Sequence, residues 1–339
     1  MADIAIVGAG SWGSALSIVL ADNHHHVRLW GRDEQQIQEI NDHHTNAKYL
    51  PGVYLPKQVI GHTELKDALV GVEAILIVVP TKAVRKVLAE IRQYLKTPVT
   101  FIHASKGIEP DSLKRISEMI EEEIPEALRK SVVVLSGPSH AEEVSRRQPT
   151  TVTSSSLQVE AAKYVQDLFM NMHFRVYTNP DLIGVEIGGA LKNIIAICIG
   201  LTNGLGFGDN AKAALMTRGL AEIARLGIKL GANPLTFAGL SGLGDLIVTC
   251  TSVHSRNYRA GNLLGQGQTL EEVLTNMGMA VEGVRTTKAA FQLAKREGIE
   301  MPITTVLYDV LFNGKQPNKA AEELMGRVKT HEVENLSLS

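Results

Sequence analysis

Lys192 lies in Gly188-Gly189-Ala190-Leu191-Lys192-Asn193-Ile194-Ile195-Ala196-Ile197. As a helix this stretch is apolar on every face, so it should be buried on all sides. An amine removed from water holds its proton less tightly, which tunes a lysine toward general acid–base work. Gly188 and Gly189 lie one turn earlier on the same face, and their missing side chains read as room for a ligand beside the amine. A lysine that snorkels to the domain surface is the structural alternative. Further on stand Ser241-Gly242-Leu243-Gly244-Asp245 and Ser255-Arg256-Asn257. Asp245 could orient a lysine or accept a substrate hydroxyl. Arg256 offers a planar fork matched to phosphate, with Ser255 and Asn257 as added donors. By spacing alone, each is equally compatible with an ordinary loop.

Gly8-Ala9-Gly10-Ser11-Trp12-Gly13 matches G-x-G-x-x-G and stands between an apolar run and an apolar helical pattern, Ala15 to Ala21. Gly8 permits the tight turn, Gly10 lets a pyrophosphate approach the backbone, and Gly13 lets helix and strand pack closely. The helix N-terminus then presents free N–H groups to the phosphates. Cofactor choice is set after the second strand, at Trp30-Gly31-Arg32-Asp33. An acidic residue there holds a ribose 2′-hydroxyl, whereas an arginine accommodates a 2′-phosphate. Arg32 comes first, which favours NADP(H), with NAD(H) as the alternative. Asp33 reads equally well as a solvated loop charge.

These groups need a frame. The runs Ile4–Val7, Val27–Trp30, Ala74–Val79, Val99–His103 and Val132–Leu135 are short, rich in Val and Ile, and lack polar alternation, as in strands covered on both faces. Helical patterns such as Ala83–Leu95 and Leu113–Glu123 separate them, which implies a doubly wound α/β sheet. Thr150–Ser155 and Phe174–Tyr177 are candidate edge strands. Ligands of such sheets bind beyond the carboxyl ends of the strands. Lys106, just past Val99–His103, is placed there to attract an anion. Ser136-Gly137-Pro138-Ser139 ends another strand at the same edge. Ser139 and Glu142 have capping-box spacing, which starts a helix there, and His140 reads as part of its first turn.

From Thr178-Asn179-Pro180-Asp181 the texture changes. Asn179 is the expected cap and Pro180 the first helical residue. Helical patterns follow over 182–204, 209–231, 270–278, 283–298 and 304–313, so residues 181–339 are expected to form an all-helical domain behind a dinucleotide-binding domain of residues 1–180. The tail from about Thr330 is polar and expected to fray.

The whole chain has 339 residues, 44% apolar and 21% charged, and a formal net charge of −2. That composition excludes a disordered chain and supplies no global field for a nucleic-acid backbone. Cys198 and Cys250 sit in apolar runs and read as reduced, buried thiols of a cytoplasmic protein. No signal-peptide pattern precedes the first strand, and Ile187–Leu201 by itself is too short to span a bilayer. His24-His25-His26 and His43-His44 lack accompanying cysteines and read as solvated loops, so no metal is expected.

The blocks GAGSWG, HASKGIEPDSL, LSGPSHAEEV, GVEIGGALKNIIAI, SGLGDLIVTC and SRNYRAG resemble the bacterial-type NAD(P)-dependent glycerol-3-phosphate dehydrogenases from about residue 4 to about 330. The resemblance implies an N-terminal Rossmann-type sheet and an all-α C-terminal domain, similar in plan to 6-phosphogluconate dehydrogenases. It implies reversible reduction of dihydroxyacetone phosphate to sn-glycerol 3-phosphate, supplying phospholipid synthesis, in a cytoplasmic homodimer. Carried over by motif, Lys192 is the general acid–base residue. Lys106, Gly137, Ser139, Asp245, Ser255, Arg256 and Asn257 bind substrate. Ser11, Trp12, Arg32, Lys106, Ala141, Arg256, Val281 and Glu282 join the glycine turn as cofactor contacts. Members often carry two basic residues after the second strand; here Asp33 follows Arg32. A related hydroxy-acid dehydrogenase and a non-catalytic dinucleotide sensor are the alternatives.

Overall fold

Each apolar run of the first half forms a strand. The computed structural model describes residues 1–278, 280–329 and 331–332; nearly all of the expected fraying tail lies outside them. Eight strands build one sheet: β1 (Asp3–Val7), β2 (His26–Trp30), β3 (Val59–His62), β4 (Ala74–Ile77), β5 (Val99–His103), β6 (Arg129–Ser136), β7 (Thr150–Ser155) and β8 (Phe174–Asn179). Their order is β3-β2-β1-β4-β5-β6-β7-β8, with β6–β7 antiparallel and the other pairings parallel. Chain direction out of β1 reverses between its neighbours β2 and β4, which opens the ligand crevice of a doubly wound sheet at the glycine turn.

Helices α1 (Ser11–Asp22), α2 (Glu34–His43), α3 (Leu65–Ala68), α4 (Val84–Tyr94), α5 (Ile116–Glu123), α6 (Ala141–Val144) and α7 (Val159–Phe169) accompany the strands. The pleat of β1 sends Ile4 and Ile6 into one core with α1, α2 and α7. It sends Ala5 and Val7 into the other core, with α3, α4 and α5. Burial on both faces is why these strands show no polar alternation.

Beyond Asn179 the regular elements are helical among the described residues: α8 (Leu182–Gly204), α9 (Asp209–Lys229), α10 (Pro234–Phe237), a π turn (Leu240–Gly244), α11 (Asp245–Thr251), α12 (Arg256–Gly265), α13 (Leu270–Met277), α14 (Glu282–Glu297), α15 (Pro302–Phe312) and α16 (Pro317–Met325). The third core is built around α8. Helix α12 lies against it at backbone contact. A Cβ on Gly200 would stand 2.0 Å from Tyr258 O, and one on Gly261 would stand 2.0 Å from Ile197 O. Only glycine permits that approach, and it brings the start of α12 beside Lys192.

Several expectations need correction. Strand β3 was not expected, because Val59-Ile60-Gly61-His62 is short and interrupted by glycine. Of the two candidate edge strands, only β8 is an edge; β7 is interior. Helix α5 begins at Ile116 rather than Leu113, since Asp111 and Leu113 take left-handed backbone angles (φ 73° and 60°) in a turn. Asp181, not Asn179, caps α8 by accepting from Gly184 N at 2.8 Å. Asn179 accepts instead from Asp181 N, which leaves Pro180 before the helix. The length argument against a membrane span also changes. Helix α8 has 23 residues, enough to cross a bilayer, but its most apolar window is 94% buried inside the protein, as in a core helix.

Candidate active site at the domain cleft

The glycine turn has the shape its sequence requires. Gly8 takes φ +127°, and a Cβ there would strike Val78 O at 2.5 Å. A Cβ on Gly13 would stand 1.9 Å from Gly8 O, so only glycine lets α1 start this close to β1. Around Gly10, by contrast, the space where a Cβ would project is open to 4 Å. Gly10 caps α1 without a side-chain partner, leaving the first-turn N–H groups facing that opening. Ser11 Oγ donates to Tyr49 O at 2.9 Å. Arg32 is exposed just past β2. Asp33, also exposed, caps α2 by accepting from Gln36 N at 3.2 Å.

The other expected cofactor contacts line the same cleft. Ala141 opens α6 and Val281 caps α14, both buried. Glu282 crosses from α14 to the sheet edge and accepts from Thr81 N at 3.3 Å. Trp12 Nε1, Thr81 Oγ1 and Glu282 Oε2 are buried without a hydrogen-bond partner among the described residues. Such atoms are costly unless something else meets them. An open glycine cradle and three unmet polar atoms along the cleft fit a dinucleotide with a polar end group.

Lys192 is 6% exposed, so it does not snorkel to the surface. Its Nζ donates to Asp245 Oδ1 and, at 2.6 Å, to Thr249 Oγ1. From the sheet edge, Lys106 Nζ donates to Asp245 Oδ2 at 2.7 Å, and also reaches Gly137 O at 3.1 Å and Ser139 Oγ at 3.4 Å. One fully buried carboxylate therefore lies between two lysines from the two halves of the chain. Burial pushes the Lys192 amine down to about 7; the Lys106 charge pushes the same way and Asp245 opposes. At that value the group gives and takes a proton near neutrality.

The space expected beside Lys192 is filled. A Cβ on Gly188 would meet Ser241 O at 2.5 Å, so that glycine admits the π turn rather than a ligand. A Cβ on Gly189 would meet Ser136 Oγ at 2.7 Å, and both residues line a cavity of about 10 Å³, the room of one water. The expected capping box is absent too: His140 occupies the cap position of α6 without a side-chain bond, and Ser139 Oγ donates to Gly137 O. Ser139 is thereby held toward Lys106. His140 is anchored outside the lysine pair, with Nε2 3.3 Å from Val248 O.

Arg256, Ser255 and Asn257 sit at the start of α12 rather than in a loop. Ser255 caps the helix through Tyr258 N at 3.2 Å. Asn257 donates to Asn193 Oδ1 at 2.9 Å, which ties this terminus to the turn carrying Lys192, and accepts from Gly283 N at 2.9 Å. Arg256 is exposed and donates to Ala280 O at 3.4 Å. A helix N-terminus with an outward guanidinium beside the amine is suited to a phosphate.

Two groups escaped the sequence reading. Thr249 lies four residues after Asp245 and donates to its carbonyl, a relation visible only once α11 is recognised as a helix. Glu186, on α8, accepts from Ser117 N at 2.8 Å and from Arg115, and lies 3.2 Å from His103 Nε2. Burial alone would raise its carboxyl; His103, Arg115 and Ser117 outweigh that and hold it down to about 2. This buried anion fastens the helix bearing Lys192 to β5 and the start of α5.

A glycine cradle of the dinucleotide-binding type, facing a helical domain with a buried lysine, is the architecture of a nicotinamide-dependent oxidoreductase. The models of the N- and C-terminal parts of NAD-dependent glycerol-3-phosphate dehydrogenase match residues 3–162 and 181–322. A glycerol-3-phosphate dehydrogenase [NAD(P)+] of Bacillus cereus (strain AH187) is 67% identical over 334 residues, 98% of each chain. Among solved structures, the glycerol-3-phosphate dehydrogenase of Coxiella burnetii superposes with a TM-score of 0.91 at 38% identity, covering 96% of this chain and 98% of that one. That of Plasmodium falciparum gives 0.86 at 27% identity, covering 97% of each. The chain belongs to the NAD-dependent glycerol-3-phosphate dehydrogenase family.

Proposed function

We propose that this protein reversibly reduces dihydroxyacetone phosphate to sn-glycerol 3-phosphate, with Lys192 as the general acid–base residue, and supplies glycerophospholipid synthesis. The carrying observation is the buried Lys192–Asp245–Lys106 array at the carboxyl edge of the sheet, beside the N-terminus of α12. On this reading, residues 1–180 bind the dinucleotide and residues 181–339 the substrate. The glycine turn with Ser11 and Trp12 would hold the pyrophosphate half, and Ala141, Val281 and Glu282 the other end. When bound, the nicotinamide supplies the two-electron chemistry. Arg32 favours NADP(H) over NAD(H).

The chain's own residues account for the rest. Arg256 and the first-turn N–H groups of α12 bind the phosphate, and that remote binding energy orients the carbonyl. The Lys192 ammonium donates a proton to the carbonyl oxygen during reduction, and the neutral amine accepts it back during oxidation. Lys106, steadied by Asp245, Gly137 and Ser139, adds positive charge where oxyanion character develops. Thr249 accepts from Lys192 and fixes the direction of its amine.

The test is a dihydroxyacetone phosphate reduction assay run in parallel with NADPH and NADH. Turnover with either supports the reading. Activity only on an unphosphorylated keto acid would assign a related hydroxy-acid dehydrogenase, and binding without turnover a dinucleotide sensor. A cytoplasmic homodimer completes the proposal; light scattering of the eluting protein checks its mass.

A further inference from the structure

Arg32 is the sole basic residue in the two positions after β2, so a 2′-phosphate would meet one cation there. The fold brings a second from a different segment. Lys48 Nζ lies 3.5 Å from Asp33 Oδ2, and 64% of its side chain is exposed. It stands over the Tyr49 ring, 5.5 Å from the centroid.

The backbone carrying Lys48 is fastened to the phosphate turn. Asn46, fully buried, donates to Ala9 O at 3.0 Å and to Ser14 Oγ at 2.8 Å. Gln36 of α2 donates both to Asn46 Oδ1 and to Ala9 O. Tyr49 O accepts from Ser11 Oγ. Residues on both sides of Lys48 thus bond to the segment that cradles the pyrophosphate, which holds its stem at the adenosine end of the cleft. Glu39, the nearby acid on α2, is occupied by Thr45 Oγ1 at 2.7 Å and Ala47 N at 2.8 Å, and so faces the loop backbone.

Asp33 is already engaged in this arrangement. One carboxylate oxygen caps α2 through Gln36 N at 3.2 Å, and the other faces Lys48. A ribose diol would have to share that carboxylate with the cap and the ion pair. We propose that Lys48 is a specificity-determining residue. With Arg32 it forms a two-cation site for the 2′-phosphate of a dinucleotide, while Asp33 acts as helix cap and resting counter-ion rather than as the ribose partner.

The inference rests on the dinucleotide reading above, and direct binding separates the two. NADPH and NADH are titrated into the full-length protein by calorimetry, using wild type, Lys48→Met, Arg32→Ala and Asp33→Asn. Methionine keeps much of the apolar stem, and asparagine still caps a helix. The expected result is an NADPH Kd raised about fivefold by Lys48→Met, with NADH changed by less than about twofold. Arg32→Ala should show the same asymmetry. Asp33→Asn should leave NADH affinity unchanged. The preference for NADPH should shrink as salt rises in the wild type, and less in Lys48→Met. Equal weakening of both dinucleotides by Lys48→Met, or of neither, overturns the role of Lys48. Loss of NADH affinity in Asp33→Asn returns Asp33 to the ribose and overturns it as well. A wild type that binds neither dinucleotide overturns the reading beneath it.

Discussion

Replacing Asp245 by asparagine keeps the side chain's shape and removes the carboxylate shared by Lys106 and Lys192. Asp245 is fully buried, so the variant leaves Lys106 and Lys192 against a neutral amide. Breaking a buried pair in this way costs about 3–5 kcal/mol. The cost depends on pH, and Lys192 sets the sign. Its pKa is about 7 in the native protein because burial outweighs Asp245; without Asp245 it falls further. Between those two values the wild-type native state holds a proton that the variant has released, while the unfolded states are alike. Linkage then widens the gap by about 1.4 kcal/mol for each pH unit below 7, down to the variant's own pKa. Above about pH 8 both native states carry a neutral Lys192 and the gap levels off. Urea denaturation at about pH 6 and about pH 8.5 reads both quantities. On the proposed role of Lys192, activity moves in the same direction: reduction would need the ammonium, so its alkaline limb should shift to lower pH. A shift of one unit cuts the protonated fraction at pH 7 from half to about one tenth. A stability loss of equal size at both pH values, with an unmoved limb, would refute the coupling.

Lys192→Met should lower turnover by about 10²–10⁴-fold while dinucleotide affinity, read by calorimetry, is largely retained. Arg256→Ala should raise KM for the phosphorylated ketone about tenfold to a hundredfold, with little change in kcat, as expected for lost charge-assisted bonds; a change confined to the cofactor would contradict the phosphate assignment. Glu186→Gln should destabilise the fold by about 3 kcal/mol, because Arg115 is left beside a neutral amide. Glu186 is held at about 2 against an ordinary 4.5, so its contribution is present above 4.5 and lost as pH falls toward 2. The acid limb of the denaturation profile should therefore be shallower in Glu186→Gln than in the wild type.

Much of this protein could be read from local pattern. The strand–glycine turn–helix at residues 3–22 is determined within a short segment, because close packing of β1, α1 and the turn depends on the glycines at 8 and 13. Lys192 stood out because an unbroken apolar helix allows no wet face for a lysine. The start of α12 was less visible: its cap, Ser255, is ordinary in a loop, and the close approach that positions it depends on Gly200 and Gly261 meeting across two helices. Strand β3 carries too few residues to announce itself, and it forms because β2 offers a partner edge.

Residue type and spacing alone determined the doubly wound sheet, the phosphate-cradling turn and the burial of one lysine, since each follows from hydrophobic period and backbone sterics over neighbouring residues. Only the tertiary structure decided what that lysine meets. Lys106 and Asp245 are 139 positions apart, and Lys192 and Asp245 are 53 apart. No local rule fixes which oxygen faces which amine, whether Gly188 admits a ligand or a backbone turn, or that Asp33 turns to cap a helix. Those outcomes depend on how two domains pack, and the electrostatics of a buried site change steeply over the few ångströms that packing controls.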